Sequence, residues 1–508
     1  QGNVYVTGAT TVSDLPVPNA WQPEPAEASA MSAFVAKVSS TGTLLWCTYL
    51  GGNSQSIGLG AAAMPDGGVA VVGATTSDGS KPFPTRNAFQ DHNNGESDYF
   101  VSVFDTGGDL KYSTYLGGSG MEAGPGEVFV DDGSNGNNIA ADARGLVYVT
   151  GVTPSGSGGA VPFPVTPNAL QPALHGSTDA FLCILDPSKG GASSLVYSSF
   201  LGGNEGEQGH SVTANTKGTL VAVGGYTRST DFPTTSSAYR SQPAPDGYLS
   251  NGFICQFKSS KPGDAASKYS IRYCTYLGGD AVGSRDDVYG MVSGPKGVLF
   301  AAGRTQSPGF PMRLPAKRSI YNSAPYLKAG TPPDASGDSP YFAKIDPSLR
   351  GEASLVYSTY LGGAEATAQW GSYATAVGVD SKGTAYVGGQ TTATEGVEYT
   401  PSPHGVEAPQ PLPYTADALF AANQGSYDAI FMQVSPNGAK LAYSTYFGGR
   451  SSDHTFGLSV DPSGNVFLTG ATDSRDFPVQ PSGQPWPGGS QCAFVAKFSS
   501  AASSASAP

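Results

Sequence analysis

Charge is what this 508-residue chain has least of: Asp, Glu, Lys and Arg together make up 13% of it, about half the usual share. Ser, Thr, Gly, Asn and Gln must therefore cover much of the surface. The little charge present leans acidic, with 27 Lys and Arg against 40 Asp and Glu, a formal net charge of −13. No basic run interrupts it, which argues against nucleic acid and against an anionic membrane surface as partners. No apolar run approaches the length of a spanning helix. Cysteine is sparse, and its odd count of five leaves at least one thiol free. Only Cys255 and Cys274 fall on neighbouring strands of one unit, and free thiols there are favoured over a bridge. No signal peptide is visible and the chain opens mid-pattern with "QGNVYVTGAT", so it reads as a mature or cropped segment of a longer precursor.

What the chain does have is a repeat. The heptad-like string "YSTYLGG" at 112–118 returns as "WCTYLGG" (46–52), "YSSFLGG" (197–203), "YCTYLGG" (273–279), "YSTYLGG" (357–363) and "YSTYFGG" (443–449). Counted on the second glycine, successive copies stand 66 to 86 residues apart, a long and elastic period that tolerates insertions. Three further segments recur between copies. One is small and apolar ("GLGAAAM", "TAVGVD"), one reads "NVYVTGAT" (3–10) or "NVFLTGAT" (465–472), and one reads "AFVAKV" (33–38) or "AFVAKF" (493–498). Alternation and β-branched or aromatic content make these strands, and tight turns such as "DPSG" join the first to the second. Cys47 and Cys274 take the place held elsewhere by Ser113, Ser198, Ser358 and Ser444, a place for a small buried side chain.

Four strands repeated about seven times predict an all-β fold, a seven-bladed β-propeller of four-stranded antiparallel blades. The first blade lacks its first strand and the last blade its fourth, so both are incomplete within the chain. The expected blades are 1–52, 53–118, 119–203, 204–279, 280–363, 364–449 and 450–498, forming a single domain over 1–498, with a Ser/Ala-rich flexible tail at 499–508. The structural motif residues are Tyr112, Tyr115, Gly117, Gly118, Tyr273, Tyr276, Tyr357, Tyr360, Tyr443 and Tyr446. Each Tyr is expected to bury its ring between blades while its hydroxyl reaches a polar partner, and the Gly pair to end the strand. The missing strands have three candidate sources: a precursor segment, strand complementation by another chain, or the tail covering one edge.

The strings "YSTYLGG", "DPSGNVFLTGATDSRDFP" (461–478) and the "AFVAK" segments resemble the SBBP family of bacterial seven-bladed propeller repeats. Its "DFP" element matches at Asp231-Phe232-Pro233 and Asp476-Phe477-Pro478, weakens at "SDLP", "KPFP", "VPFP" and "PGFP", and reads as lost in blade 6. The resemblance implies an exported bacterial protein, extracellular or at the cell surface. It brings no catalytic residues to transfer.

Chemistry is thin. The five histidines, His92, His175, His210, His404 and His454, are placed in loops on one face, without metal-ligand spacing, as exposed loop residues. Glu122, Glu127, Asp131, Asp132 and Asn135 gather in one loop. Of these Glu127, Asp131, Asp132 and Asn135 would suit calcium, although Gly133 stands where a carboxylate or amide is wanted and a solvated acidic loop is the plainer reading. No other cofactor is implied. Asp286-Asp287 reads as a solvated pair, and four Trp are too few for the Trp-docked propellers of quinone-dependent dehydrogenases.

The function expected from this pattern is a non-enzymatic extracellular structural or interaction propeller, with other chains or copies of itself as partners. Strand complementation or face-to-face stacking of an acidic face on the face bearing Lys217, Lys296 and Lys382 would assemble it into a surface layer or head-to-tail filament. The alternative is a propeller that binds a glycan or small ligand, or a hydrolase or lyase acting at the channel mouth on the loop-rich face.

Overall fold

A computed structural model describes residues 2–122, 137–156, 158–243, 249–264, 267–280, 283–307, 309–313, 338–362, 372–392, 397–398, 412–479 and 489–499. Glu127, Asp131, Asp132 and Asn135, expected to suit calcium, and His404 lie outside the described residues.

The fold is an all-β seven-bladed β-propeller. Blade 1 has three strands, β1 (Val4–Thr10), β2 (Ser32–Val38) and β3 (Leu44–Leu50). Blade 2 has β4 (Ser56–Ala63), β5 (Val69–Thr75), β6 (Asp98–Phe104) and β7 (Leu110–Leu116). Blade 3 has β8 (Ile139–Ala141), β9 (Val147–Thr153), β10 (Asp179–Leu185) and β11 (Leu195–Leu201). Blade 4 has β12 (Glu207–Ala214), β13 (Leu220–Thr227), β14 (Asn251–Lys258) and β15 (Ser270–Leu277). Blade 5 has β16 (Asp286–Ser293), β17 (Leu299–Thr305), β18 (Ser339–Ile345) and β19 (Leu355–Tyr360). Blade 6 begins with β20 (Tyr373–Val379) and β21 (Ala385–Thr391). The two-residue strands β22 (Val397–Glu398) and β23 (Pro413–Tyr414) pair in parallel, and β24 (Asp428–Val434) and β25 (Leu441–Phe447) complete the blade. Blade 7 has β26 (Asp453–Val460), β27 (Val466–Thr472) and β28 (Cys492–Phe498).

Within each sheet the strands follow chain order. The turn from first to second strand is set by its sequence. Asp461 Oδ1 accepts the amides of Ser463 and Asn465 at 2.8 and 2.9 Å, while Gly464 takes φ +83°. The third strands of blades 2 and 3 are covered on both faces. Every residue of β6 and β10 is buried, which is why these strands read as near-continuous apolar runs.

The chain divides into two compact units, Gln1–Pro233 with Cys255–Arg272, and Thr234–Ile254 with Tyr273–Pro508. In the first, aromatic rings from consecutive sheets interleave, as where Tyr99 of β6 meets Phe181 of β10 edge-on at 5.5 Å. In the second, Phe431 of β24 packs on Phe498 of β28 at 4.5 Å.

Candidate functional site

The recurring heptad is consumed in fastening each blade. Its first Tyr reaches the turn of the next blade: Tyr112 hydrogen-bonds Ser194 at 2.8 Å, and Tyr273 hydrogen-bonds Ser354 at 2.8 Å. Its Ser donates to a proline carbonyl, Ser113 to Pro84 at 2.6 Å, Ser198 to Pro164 at 2.5 Å and Ser444 to Pro413 at 2.5 Å. Its Thr accepts a backbone amide, as Thr114 Oγ1 does from Gln90 at 2.9 Å. The second Tyr ties down the loop after the second strand: Tyr115 donates to the Ser77 carbonyl at 3.0 Å and accepts the Phe83 amide at 2.9 Å. The described rings of Tyr112, Tyr115, Tyr273, Tyr276, Tyr357, Tyr360 and Tyr446 are buried, and Tyr443 is half-buried.

These bonds reveal a strap that sequence reading missed. The stretch after each Phe-Pro or Leu-Pro runs along the far edge of the fourth strand. Arg86 and Ser113 exchange both backbone hydrogen bonds at 2.9 Å, and the Tyr115 amide donates to the Gln90 carbonyl at 3.0 Å. Blades 1, 3, 4, 5 and 6 repeat this with Pro18, Thr166, Thr235, Arg313 and Thr415. An uncovered fourth strand would offer its ladder to any passing strand, and the strap removes that hazard. The Phe-Pro element expected to be lost in blade 6 survives there as Leu412-Pro413, with Leu412 buried. Where the strap ends in Gln, the side-chain amide clamps the first glycine: Gln171 donates to the Gly202 carbonyl at 2.9 Å and accepts its amide at 3.0 Å.

Several residues expected to be solvated are buried instead. Asp286 and Asp287 are 1% and 2% exposed. Asp286 Oδ2 accepts the Gly279 amide at 2.9 Å, and burial pushes its carboxyl up to about 7. Asp287 Oδ2 pairs with Arg304 Nε at 2.7 Å, and Arg304 Nη1 lies 3.5 Å from Asp338 Oδ2. The guanidinium sits 5.5 Å from the rings of both Tyr289 and Tyr373. Burial of this kind is affordable only because the cation is paired on two sides and stacked on two others.

Two of the five histidines are strand residues, not loop residues, and both are buried. His210 lies on β12, with Nε2 3.3 Å from Gln208 Oε1 and Tyr226 edge-on at 5.5 Å. His454 lies on β26, with Nδ1 2.9 Å from Gln390 Oε1 and the Tyr427 ring at 5.2 Å. The partner of His454 lies on β21 of the preceding blade, which spacing along the chain does not show. His92, beside Asp91, and His175 are exposed loop residues as expected. Among the described residues no group of three or more His, Cys, Asp or Glu is arranged to hold a metal ion. The cysteine expectation is also corrected: Cys255 and Cys274 are disulfide-bonded, while Cys47, Cys183 and Cys492 are free.

One strand departs from the common pattern. β28 pairs with β27 alone among the described residues. Its sequence CAFVAKF shares five consecutive residues with SAFVAKV of β2. Yet Val35 of β2 is fully buried, whereas Val495 is 42% exposed. Lys37 is buried with Nζ 2.9 Å from the Thr106 carbonyl, whereas Lys497 is exposed. The same residues are sealed in blade 1, where Val69, Val71 and Phe100 of blade 2 cluster with Val35 and Lys37 reaches Thr106, and open in blade 7.

Residues 442–478, spanning β25 to the Phe477-Pro478 element, match the family model "SBBP: Beta-propeller repeat". No curated protein matches the chain by sequence. Among solved structures, the quinohemoprotein alcohol dehydrogenase of Comamonas testosteroni is similar at 10% identity and TM-score 0.32, over 87% of this chain and 69% of that one. An apocarotenoid oxygenase of Synechocystis is similar at 9% identity and TM-score 0.33, over 92% of this chain and 84% of that one. Likenesses this distant transfer no chemistry. No helix of the described residues is long and apolar enough to cross a membrane. The chain is a seven-bladed β-propeller carrying an SBBP β-propeller repeat at residues 442–478.

Proposed function

We propose that this protein is a non-enzymatic extracellular interaction propeller, and that it engages a partner chain by accepting an extended segment along the open edge of β28. The observation that carries this reading is that β28 pairs with β27 alone among the described residues, whereas the matching strand β2 pairs with both β1 and β3. An edge strand with an apolar face binds by strand addition, in which backbone bonds supply affinity and alternate side chains supply specificity.

The partner's chemistry follows from the other blades. β2 pairs antiparallel with β3 in the register Ala33↔Leu50, Phe34↔Tyr49, Val35↔Thr48, Ala36↔Cys47 and Lys37↔Trp46. By the same register a donated segment places Leu at Ala493, Tyr at Phe494, Thr at Val495, Ser at Ala496 and Tyr at Lys497. A Tyr-Ser-Thr-Tyr-Leu-Gly-Gly segment fits that register, and the six described fourth strands, β3, β7, β11, β15, β19 and β25, already lie in their own sheets. The disulfide-bonded Cys255 and Cys274 suit an oxidising, exported location.

The test is binding of a labelled synthetic peptide copying Leu110–Gly118, followed by fluorescence anisotropy. Saturable binding that disappears when alternate peptide amides are N-methylated is expected. Absence of binding, or equal binding of the N-methylated peptide, refutes the reading.

A further inference from the structure

Where one blade passes to the next, two acidic side chains are brought side by side. The Glu122 amide donates to the Ser97 carbonyl at 3.0 Å, and the Asp453 amide donates to the Tyr427 carbonyl at 2.8 Å. Each bond stitches the residue before one acid to the next acid along the chain, Asp98 to Glu122 and Asp428 to Asp453. The first glycine of the Gly pair lies between them. A Cβ added at Gly448 would come within 2.7 Å of both Asp428 Oδ1 and Asp453 Oδ2, and one at Gly117 within 2.2 Å of Asp98 Oδ1.

All four carboxyls are fully buried. Part of each is held by donors. Asp98 Oδ2 accepts from Gln90 Nε2 at 2.6 Å and the Asn94 amide at 2.9 Å, and Glu122 Oε1 accepts from Thr153 at 3.1 Å. Asp428 Oδ2 accepts the Gln424 amide at 3.0 Å, and Asp453 Oδ2 accepts the Gly449 amide and the Ser474 hydroxyl, both at 2.8 Å. The remaining oxygens, Asp98 Oδ1, Glu122 Oε2, Asp428 Oδ1 and Asp453 Oδ1, have no hydrogen-bond partner among the described residues. No Lys, Arg or His among the described residues forms an ion pair with any of the four.

We propose that Asp98–Glu122 and Asp428–Asp453 are proton-binding sites, each holding one shared proton between two buried carboxyls, and that these protons lock consecutive blades together. Two ionised carboxylates in a dry site repel, and one added proton converts that repulsion into a short charge-assisted O–H···O bond. A metal cation is the poorer fit, because among the described residues no third His, Cys, Asp or Glu joins either pair. The molecule varies the same junction elsewhere. Ser32 and Ser56 flank Gly51, and Asn251 and Asp286 flank Gly278, so an uncharged partner satisfies the same geometry.

The acidities agree. Burial first, and the Glu122 charge beside it, push Asp98 up to about 7, and Glu122 is raised mainly by burial. Burial first, with Asp453 and Asp476 adding, pushes Asp428 up to about 7. The other titratable groups facing these pairs are Tyr115 near Asp98 and Tyr446 near Asp428, while Asp476 is itself 3.4 Å from Arg450. A carboxyl whose folded pKa is raised contributes stability that is fully present below its unfolded pKa and is lost as pH rises through about 7.

The test is thermal unfolding of the full chain from about pH 5 to about pH 9, with infrared spectra of the native protein. The melting temperature is expected to fall by about 5 °C or more across neutrality. The double variant Asp98→Asn with Asp428→Asn should remove about half of that fall or more. A protonated-carboxyl C=O stretch should be present in the native wild-type protein below neutral pH and vanish above it. A flat pH profile, an undiminished fall in the double variant, or no such infrared band overturns the proposal. So does a stoichiometric metal ion, found by elemental analysis, whose chelation lowers the melting temperature. Should the double variant fail to fold, the infrared band of the wild-type chain decides.

Discussion

The Tyr112 hydroxyl and the Ser194 hydroxyl hydrogen-bond at 2.8 Å although 82 residues separate them. The bond joins the fourth strand of blade 2 to the turn before the fourth strand of blade 3, where Ser194 also donates to the Gly191 carbonyl at 2.7 Å. Sequence repetition therefore encodes contacts between repeats as well as within them.

Removing that hydroxyl should cost little and removing the ring much. Tyr112→Phe leaves Ser194 its Gly191 partner, so a loss of about 1 kcal/mol is expected. Tyr112→Ala empties a site that is 1% exposed and should cost about 3–5 kcal/mol. Urea unfolding midpoints of the two variants give the comparison. Equal losses would mean that the ring contributes nothing beyond its hydroxyl.

Gly117 is constrained by its neighbours, not by φ. At Gly117 an added Cβ would lie 2.2 Å from Asp98 Oδ1, whereas at Gly158 nothing lies within 4 Å. Gly117→Ala should therefore destabilise by about 2 kcal/mol or more, while Gly158→Ala stays within about 0.5 kcal/mol of wild type. Melting temperatures measured in parallel would separate them, and a neutral Gly117→Ala would count against the close packing at the blade junction.

Much of this architecture is legible from the chain. Alternating strands such as VYVTGAT and the turn DPSG carry their own structure, because period and turn chemistry are local. The heptad's purpose is only half legible. Tyr112 announces burial, but Ser194 is not marked as its partner by any spacing. The Phe-Pro strap was visible as a string without a role, since its meaning lies in bonds to a fourth strand such as that between Arg86 and Ser113. Asp286, Asp287, His210 and His454 were misplaced for one reason. Polar residues in a low-charge chain look solvated until their partners are seen: Arg304 on the next strand receives Asp287, the Gly279 amide receives Asp286, Gln208 on its own strand receives His210, and Gln390 of the preceding blade receives His454.

Arg304 should tolerate no substitution by Lys. Its fork reaches both Asp287 and Asp338, and its plane stacks between Tyr289 and Tyr373. A lysine ammonium is a point charge that cannot meet both carboxylates and both rings. Arg304→Met leaves two buried carboxyls without their cation and should cost about 3–5 kcal/mol. Arg304→Lys should recover less than about half of that, as read from denaturant midpoints. Full recovery by lysine would show that charge alone matters at this position.

The cysteines separate by chemistry in a way that thiol labelling can read. Cys255 and Cys274 are disulfide-bonded and should not react without reductant. Cys47 and Cys183 are buried, and burial pushes their thiols up to about 11 and about 12, with little thiolate at neutral pH. Cys492, at the start of β28, is half-buried. The native protein should therefore label at Cys492 well before any other thiol, and the denatured, unreduced protein should label at Cys47 and Cys183 as well. Because β28 is the proposed acceptor strand, saturating the protein with the Leu110–Gly118 peptide should slow labelling of Cys492 several-fold without changing the denatured-state result. Unchanged reactivity of Cys492 at saturation would place the peptide away from β28 even if it bound.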